Sequence, residues 1–157
     1  MATKGARVLT RVIGIGAEDR GDDAAGLLVA RLLRVASPPG VEVHESAGDA
    51  GGLLELVEGA DRVVLIDAAR GAGAPGTVEH VPQGAALRSP AHSTHGLGLS
   101  EALGVATELG ILPPMVRVYV VYGRAFDPGP VTPEVAAGIG AAAELILRDE
   151  LASRASL

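Results

Sequence analysis

The chain has 157 residues, 48% of them apolar and 20% charged, which is the composition of a globular protein with a sizeable core. Its net charge of -6 and its few aromatic side chains, two tyrosines and one phenylalanine, argue against a nucleic-acid partner. Cysteine is absent, which excludes disulfides and thiolate metal sites. No stretch approaches the roughly 20 apolar residues of a membrane span, and the N-terminal segment lacks a signal-peptide pattern. We therefore expect one cytoplasmic domain over residues 1–157, with no membrane partner.

Five segments predict β-strands, at residues 8–15, 41–45, 63–67, 77–81 and 116–121. The third is a continuous Val-Val-Leu-Ile run, which is typical of a strand covered on both faces in a parallel sheet. The fourth is shorter and more polar, as expected of an edge strand. It follows the third after a Gly/Pro-rich connection, 71–76, that is too short to hold a helix. This spacing favours an antiparallel hairpin between the third and fourth strands.

Four helices are predicted between and after these strands. The first begins at Asp22 or Asp23 and ends near residue 35; the others cover 50–58, 97–109 and the segment after Thr132. Thr132 is the expected cap of the last helix, and Pro133 takes its first position. The order β-α-β-α-β-β-α-β-α predicts an α/β fold, a three-layer α/β/α sandwich. Its five-stranded sheet is expected to be mostly parallel, with one antiparallel edge strand.

The loop between the first strand and the first helix, residues 14–26, lies where a dinucleotide-binding protein carries its phosphate-binding glycines. Here Asp19 stands where the third glycine of that fingerprint belongs. The loop carries four carboxylates in all, Glu18, Asp19, Asp22 and Asp23. Because negative charge repels a pyrophosphate and attracts a cation, the loop predicts a metal site instead of a nucleotide site.

Three polar side chains follow different elements of the predicted sheet. Asp23 follows the first strand, Asp67 ends the third, and His95 precedes the third helix. Ligands of open α/β sheets bind beyond the carboxyl ends of the strands. If the fourth strand is antiparallel, the loop before His95 must cross back over the sheet, and about a dozen residues give it the reach. Two carboxylates and an imidazole would make a divalent metal site with open positions.

Each of these residues also has a structural interpretation. Asp22 is predicted to cap the first helix, and Asp23 alternatively interacts with the helix dipole. Asp67 alternatively caps or pairs, and His95 alternatively forms an ordinary surface hydrogen bond. The remaining polar residues are interpreted structurally: turn residues at Glu45 and Asp49, solvated charges at Glu18 and Asp19, and strand-face residues without chemistry at His44 and His80.

The sequence resembles the maturation endopeptidases of nickel-iron hydrogenases over nearly its whole length. Family members share Gly-x-Gly-Asn, Asp-Asp/Glu-x-x-Gly, an apolar strand ending in Asp-Ala, Pro-Gly-Thr, His-x-Leu-Gly-Leu and Thr/Ser-Pro-Glu-Val. The similar segments here are 14–17, 22–26, 63–68, 75–77, 95–99 and 132–135. Ala17 stands where the family has Asn, and segment 45–49 departs from the family's Asp-Gly-Gly/Gly-Thr motif.

The resemblance implies an endopeptidase, a hydrolase that removes a C-terminal peptide from the hydrogenase large-subunit precursor after nickel insertion. It implies that Asp23, Asp67 and His95 are the catalytic, metal-contacting residues. The nickel would be supplied by the substrate, and the protease need not hold a catalytic metal of its own. Three alternatives stay open: a non-catalytic protein that binds metal or the precursor, a related peptidase acting on another precursor, and a nucleotide-binding α/β protein. Because Ala17 replaces the family's Asn, the non-catalytic binding protein stays a possible interpretation.

Overall fold

The computed structural model describes residues 8–36, 38–71, 73–82 and 96–151, with the backbone alone at 96 and 97. These ranges contain five strands and four helices. The strands are β1 (Thr10–Ile15), β2 (Val41–Ser46), β3 (Arg62–Ala69), β4 (Val78–Val81) and β5 (Met115–Tyr122). The helices are α1 (Ala25–Ala36), α2 (Ala50–Val57), α3 (Gly96–Leu109) and α4 (Pro133–Ile146). A 3-10 turn, Gly21–Ala24, precedes α1, and a π-helical turn, Leu147–Leu151, follows α4.

The strands form one sheet in the order β2-β1-β3-β5-β4, which confirms the predicted α/β class. Strands β2, β1, β3 and β5 are parallel to one another, and β4 is an antiparallel edge strand. The predicted hairpin between the third and fourth strands is wrong, because β4 pairs with β5. All eight residues of β3 are buried, so β3 requires an apolar strand on each side. The apolar β5 supplies the second one, and the more polar β4 takes the edge.

The connection between β3 and β4 therefore passes the carboxyl end of β5. Gly123, just after β5, donates its N–H to the carbonyl of Ala69 (2.9 Å). On the other side, the N–H of Gly76 donates to the carbonyl of Tyr122 (2.8 Å), and the N–H of Tyr122 donates to that of Thr77 (2.9 Å). These bonds hold the Gly/Pro-rich connection against the end of β5.

Two apolar layers cover the two faces of the sheet. Val64 and Ile66 of β3 pack in one buried cluster with α1 and α4, which includes Leu33 and Ile146. Side chains alternate along a strand, so Leu65 faces the other way and packs with α2 and α3. The three-layer arrangement confirms the predicted sandwich. Within the described ranges, none of the helices has both the length and the apolar character needed to traverse a lipid bilayer.

A buried polar cluster joins the π-helical turn to the amino end of β3. The guanidinium of Arg62 donates to the main-chain carbonyl of Glu150 (2.8 Å) and to its carboxylate (3.0 Å). The hydroxyl of Tyr119 donates to the same carboxylate. Burial and the hydrogen bond to Glu150 raise the pKa of Tyr119, which therefore stays a neutral donor. Because Arg62 begins β3, this cluster lies toward the amino ends of the parallel strands and away from their carboxyl ends.

Candidate functional site

Asp23 and Asp67 both lie at the carboxyl ends of the parallel strands, near the ends of β1 and β3. The two strands are parallel and in register, with Gly14 opposite Ile66, so their carboxyl ends lie side by side. Asp67 follows Ile66 within β3. The 3-10 turn that carries Asp23 follows β1 and contacts β3. Both acids are buried, Asp67 completely and Asp23 to all but 7%.

Glycines let the 3-10 turn and α1 lie directly on these strand ends. A Cβ at Gly26 would come within 2.3 Å of the carbonyl oxygen of Ile66. A Cβ at Gly16 would come within 2.4 Å of the carbonyl oxygen of Asp23. Contacts this short leave no room for a side chain. The glycines of the sequence motif therefore set the approach of the Asp23 backbone to the strand that bears Asp67.

Asp67 lies on the α2–α3 side of the sheet. Val63 and Leu65 face that layer, and Asp67 is the next residue of the same alternation. Its Oδ1 accepts a hydrogen bond from the N–H of Ala68 (2.8 Å). A carboxylate fixed in a buried position acts more strongly on a nearby cation than one in water, because the local dielectric is lower.

His95 lies outside the described residues, so its place at the site stays a prediction. The described chain resumes at Gly96, which begins α3. A Cβ at Gly98 would come within 2.1 Å of the carbonyl oxygen of Gly48, in the loop after β2. The start of α3 is therefore at the carboxyl end of the parallel strands. β4 runs antiparallel, away from the carboxyl end of β5. The connection from β4 to α3 lies outside the described residues, so its crossing of the sheet stays a prediction.

In the part of the chain that the structure describes, no three His, Cys, Asp or Glu side chains are grouped closely enough to hold a metal ion. The predicted third ligand, His95, is not among these residues. Asp23 and Asp67 alone would therefore need further donors to hold an ion.

Asp22 does not cap the first helix, and that prediction is wrong. The 3-10 turn has no side-chain cap. The Asp22 carboxylate instead accepts hydrogen bonds from the N–H groups of Arg124 (2.7 Å), Ala125 (3.0 Å) and Thr132 (2.7 Å). Burial acts to raise the pKa of Asp22, but the hydrogen bonds from Ala125, Arg124 and Thr132 outweigh it and lower the pKa. Sequence reasoning missed this role because the partners are 102 to 110 residues away.

Arg31 of α1 is a second residue that the sequence reasoning missed. It donates two hydrogen bonds to Glu45 (2.8 and 2.9 Å) and one to Glu18 (3.0 Å). Glu45 is thus a paired residue of β2 and not a turn residue, and Glu18 is exposed but paired. The hydrogen bond from Arg31 lowers the pKa of Glu45. Arg31 thus uses one loop acid, Glu18, and one acid of β2, Glu45, to join α1, β2 and the β1 loop.

The structure accounts for the other polar residues, although Asp49 caps a helix and is not the predicted turn residue. Asp49 caps α2 and accepts the N–H of Gly52 (2.8 Å). Asp19 is exposed and has a positive φ of 65°. His44 bonds Glu42 (3.0 Å) on β2, and the ring of His80 packs on that of Tyr119, with 5.2 Å between centroids. These contacts explain the residues without any role in a reaction.

Comparisons with known proteins agree with the motifs. The sequence model of a family described as HycI, hydrogenase maturation protease, matches residues 27–149. The fold is similar to a hydrogenase maturating endopeptidase, HybD, from E. coli (25% identity, TM-score 0.79, covering 90% of this chain and 91% of that one). It is also similar to a [NiFe] hydrogenase maturation protease, HybD, from Thermococcus kodakarensis (25% identity, TM-score 0.75, covering 90% and 98%).

A comparison with curated protein sequences gave no match. The family match nevertheless covers most of the chain, and the similarity of fold to each of the two solved structures covers 90% of it. The chain therefore belongs to the hydrogenase maturation protease family.

Proposed function

We propose that this protein is an endopeptidase that removes a C-terminal peptide from the large-subunit precursor of a nickel-iron hydrogenase after nickel has been inserted. Family membership supports protease activity in hydrogenase maturation. The observation that carries the site assignment is the placement of two buried carboxylates, Asp23 and Asp67, at the carboxyl ends of the parallel strands. Proteases act by hydrolysis, so the reaction adds water across one peptide bond of the precursor.

In this proposal Asp23, Asp67 and His95 contact the nickel, which belongs to the substrate. Carboxylate oxygens and an imidazole nitrogen are suitable donors for a divalent first-row metal. The precursor's own ligands occupy the other coordination positions of the ion. The ion then acts either as a Lewis acid on the scissile carbonyl or as a template that positions the peptide. Water is the proposed nucleophile: its oxygen adds to the carbonyl carbon, the C–N bond breaks, and a proton reaches the leaving amine.

The experiment compares nickel-loaded and nickel-free precursor, each incubated with the purified protein. Mass spectrometry is expected to show a shortened large subunit and a released peptide with the nickel-loaded precursor alone. Equal cleavage of both forms would reject recognition of the metal. A stable complex without any change in mass would reject the enzyme and support a non-catalytic precursor-binding protein.

Ala17 is the observation that favours the binding protein as a second candidate. It stands in the tight loop after β1, where the family has an asparagine. An alanine side chain can form no hydrogen bond to the loop or to the substrate. The same mass measurement separates the two candidates, because a binding protein forms the complex and leaves the precursor intact.

A further inference from the structure

Hydrogen bonds join the loop after β1 to the loop after β5. The N–H of Gly21 donates to the carbonyl of Gly129 (2.9 Å), and the N–H of Gly129 donates to the carbonyl of Asp19 (3.0 Å). The N–H of Asp22 donates to the carbonyl of Ala125 (2.8 Å). We call these contacts, between residues 19–22 and 124–132, the loop clasp.

The carboxylate of Asp22 lies at the centre of the loop clasp and is completely buried. Its Oδ2 accepts the N–H groups of Arg124 and Ala125, and its Oδ1 accepts that of Thr132. The hydroxyl of Thr132 lies 3.0 Å from Oδ1 and 2.9 Å from Oδ2. Each oxygen thus faces at least one N–H donor. An isosteric amide would turn its NH2 group against a donor, so a carboxylate suits this position and an asparagine does not.

The loop clasp also determines where Asp23 lies. Asp23 is the next residue, and its N–H bonds the carbonyl of Arg20 (3.2 Å) within the same turn. Gly21 has a φ of 61°, and a Cβ there would come within 2.6 Å of the carbonyl oxygen of Ala125. Only glycine allows the two loops to approach this closely. The backbone that carries Asp23 is therefore fixed from the β5 side as well as from the sheet.

We propose that Asp22 is a positioning residue that acts through the loop clasp to hold the main chain of Asp23 in place for contact with the substrate's nickel. This inference rests on the function proposed above for Asp23. Complete burial leaves Asp22 itself no surface for the substrate, so its effect is transmitted by the backbone.

The test is the Asp22→Asn variant of the full chain, with Asp61→Asn as its matched control. Asp61 directly precedes β3, at the amino end of the parallel strands. Its carboxylate accepts one N–H, from Leu9 (2.8 Å), which an asparagine oxygen can also accept. Displacing a reacting group by about 1 Å can reduce a rate on the order of 100-fold. We expect kcat/KM for the nickel-loaded precursor to fall at least about tenfold in Asp22→Asn and to stay within about twofold in Asp61→Asn. Cleavage by Asp22→Asn at the rate of the control would overturn the proposal.

Amide hydrogen exchange gives a readout that does not depend on cleavage. The N–H groups of Gly21 and Gly129 bond across the loop clasp but not to the Asp22 side chain. In Asp22→Asn both are expected to exchange on the order of tenfold faster, while Val29 in α1 keeps its protection. Faster exchange at all three would indicate global destabilisation and count against a positioning role. Unchanged protection at Gly21 and Gly129 would also overturn it.

A second pair of variants serves if Asp22→Asn does not fold. Thr132→Val removes the hydroxyl and keeps the backbone N–H bond to Asp22, whereas Thr132→Ser keeps both. We expect a several-fold lower kcat/KM for the valine variant and a rate near that of the unmodified protein for the serine variant. Equal rates for the two would overturn the proposal. Normal cleavage by Asp23→Ala would instead reject the function proposed for Asp23, so the two failures are distinguishable.

Discussion

Gly26 of α1 packs directly on the main-chain carbonyl of Ile66 in β3, the residue before Asp67. A Cβ at position 26 would lie 2.3 Å from that oxygen and 2.4 Å from the carbonyl oxygen of Ile15 in β1. The glycine of the Asp-Asp-x-x-Gly motif is thus required for the helix to lie on two strand ends at once. This contact sets the separation of the backbone segments that bear Asp23 and Asp67.

The Gly26→Ala variant is expected to be less stable by about 3 kcal/mol, because neither carbonyl can move without distorting the sheet. Gly51→Ala in α2 is the control, since its Cβ would meet nothing within 4 Å. Alanine is favoured over glycine in a helix, so the control is expected to be unchanged or more stable by roughly 0.5 kcal/mol. Urea unfolding followed by circular dichroism measures both. Equal losses in the two variants would show that the close contact is unimportant.

The pair between Arg31 and Glu45 is expected to make stability depend on pH. Since the hydrogen bond from Arg31 lowers the pKa of Glu45 in the folded protein, the pair stabilises the fold fully above the unfolded carboxyl pKa of about 4.3. That contribution is lost as the pH falls through the lower folded pKa. Both side chains are partly exposed, so we expect about 1 kcal/mol or less.

The measurement for this pair is the difference in free energy of unfolding between the unmodified protein and Arg31→Gln. It is expected to be constant from pH 7 to about pH 5 and to shrink below about pH 4. A difference that grows on acidification would contradict the assigned direction of the pKa shift.

The buried contact of Arg62 with Glu150 is expected to matter for stability and not for the reaction. Arg62→Met leaves the Glu150 carboxylate buried without its closest cation, at an expected loss of about 3–5 kcal/mol. Arg148→Met, which removes an exposed pair with Asp149, is the control and should change stability little. The melting temperatures of both variants test this. A large loss of precursor cleavage in a fully folded Arg62→Met protein would contradict the separation of this cluster from the site.

Elements with a strong local pattern were predictable from the sequence. The apolar run of β3, the polar character of β4 and the start of α4 at Thr132 and Pro133 all depend on residues close to one another in the chain. The edge position of β4 follows from its composition. Its partner does not, because whether β3 or β5 lies beside it depends on the packing of the whole sheet.

The site was predictable only in part for the same reason. Asp67 follows the apolar Val-Val-Leu-Ile run of β3, and that pattern is visible in the sequence. The roles of Asp22 and Glu45 depend on donors elsewhere in the chain, at Thr132 and Arg31, and no local spacing indicates such contacts. The structural prediction for Asp22 was a helix cap. It was right that the carboxylate accepts main-chain N–H groups, but wrong about the element that donates them.

Nucleotides are expected to leave the melting temperature unchanged. The fold places a loop at the end of β1 where dinucleotide-binding proteins bind pyrophosphate, but this loop carries Asp19 and Asp23 and would repel it. A ligand that binds the folded state at 100 times its Kd would stabilise it by about 2.7 kcal/mol. Thermal unfolding with millimolar ATP or NAD is the measurement. A rise of several degrees would support the nucleotide-binding alternative.

The most direct test of the central claim, that Asp67 and Asp23 act together on the substrate's nickel, is cleavage of nickel-loaded precursor by Asp67→Ala. Asp61→Ala, which removes an exposed acid at the amino end of the parallel strands, is measured beside it by mass spectrometry. The precursor is expected to stay intact with folded Asp67→Ala and to be shortened by Asp61→Ala. A precursor shortened at the normal rate by Asp67→Ala would contradict the central claim.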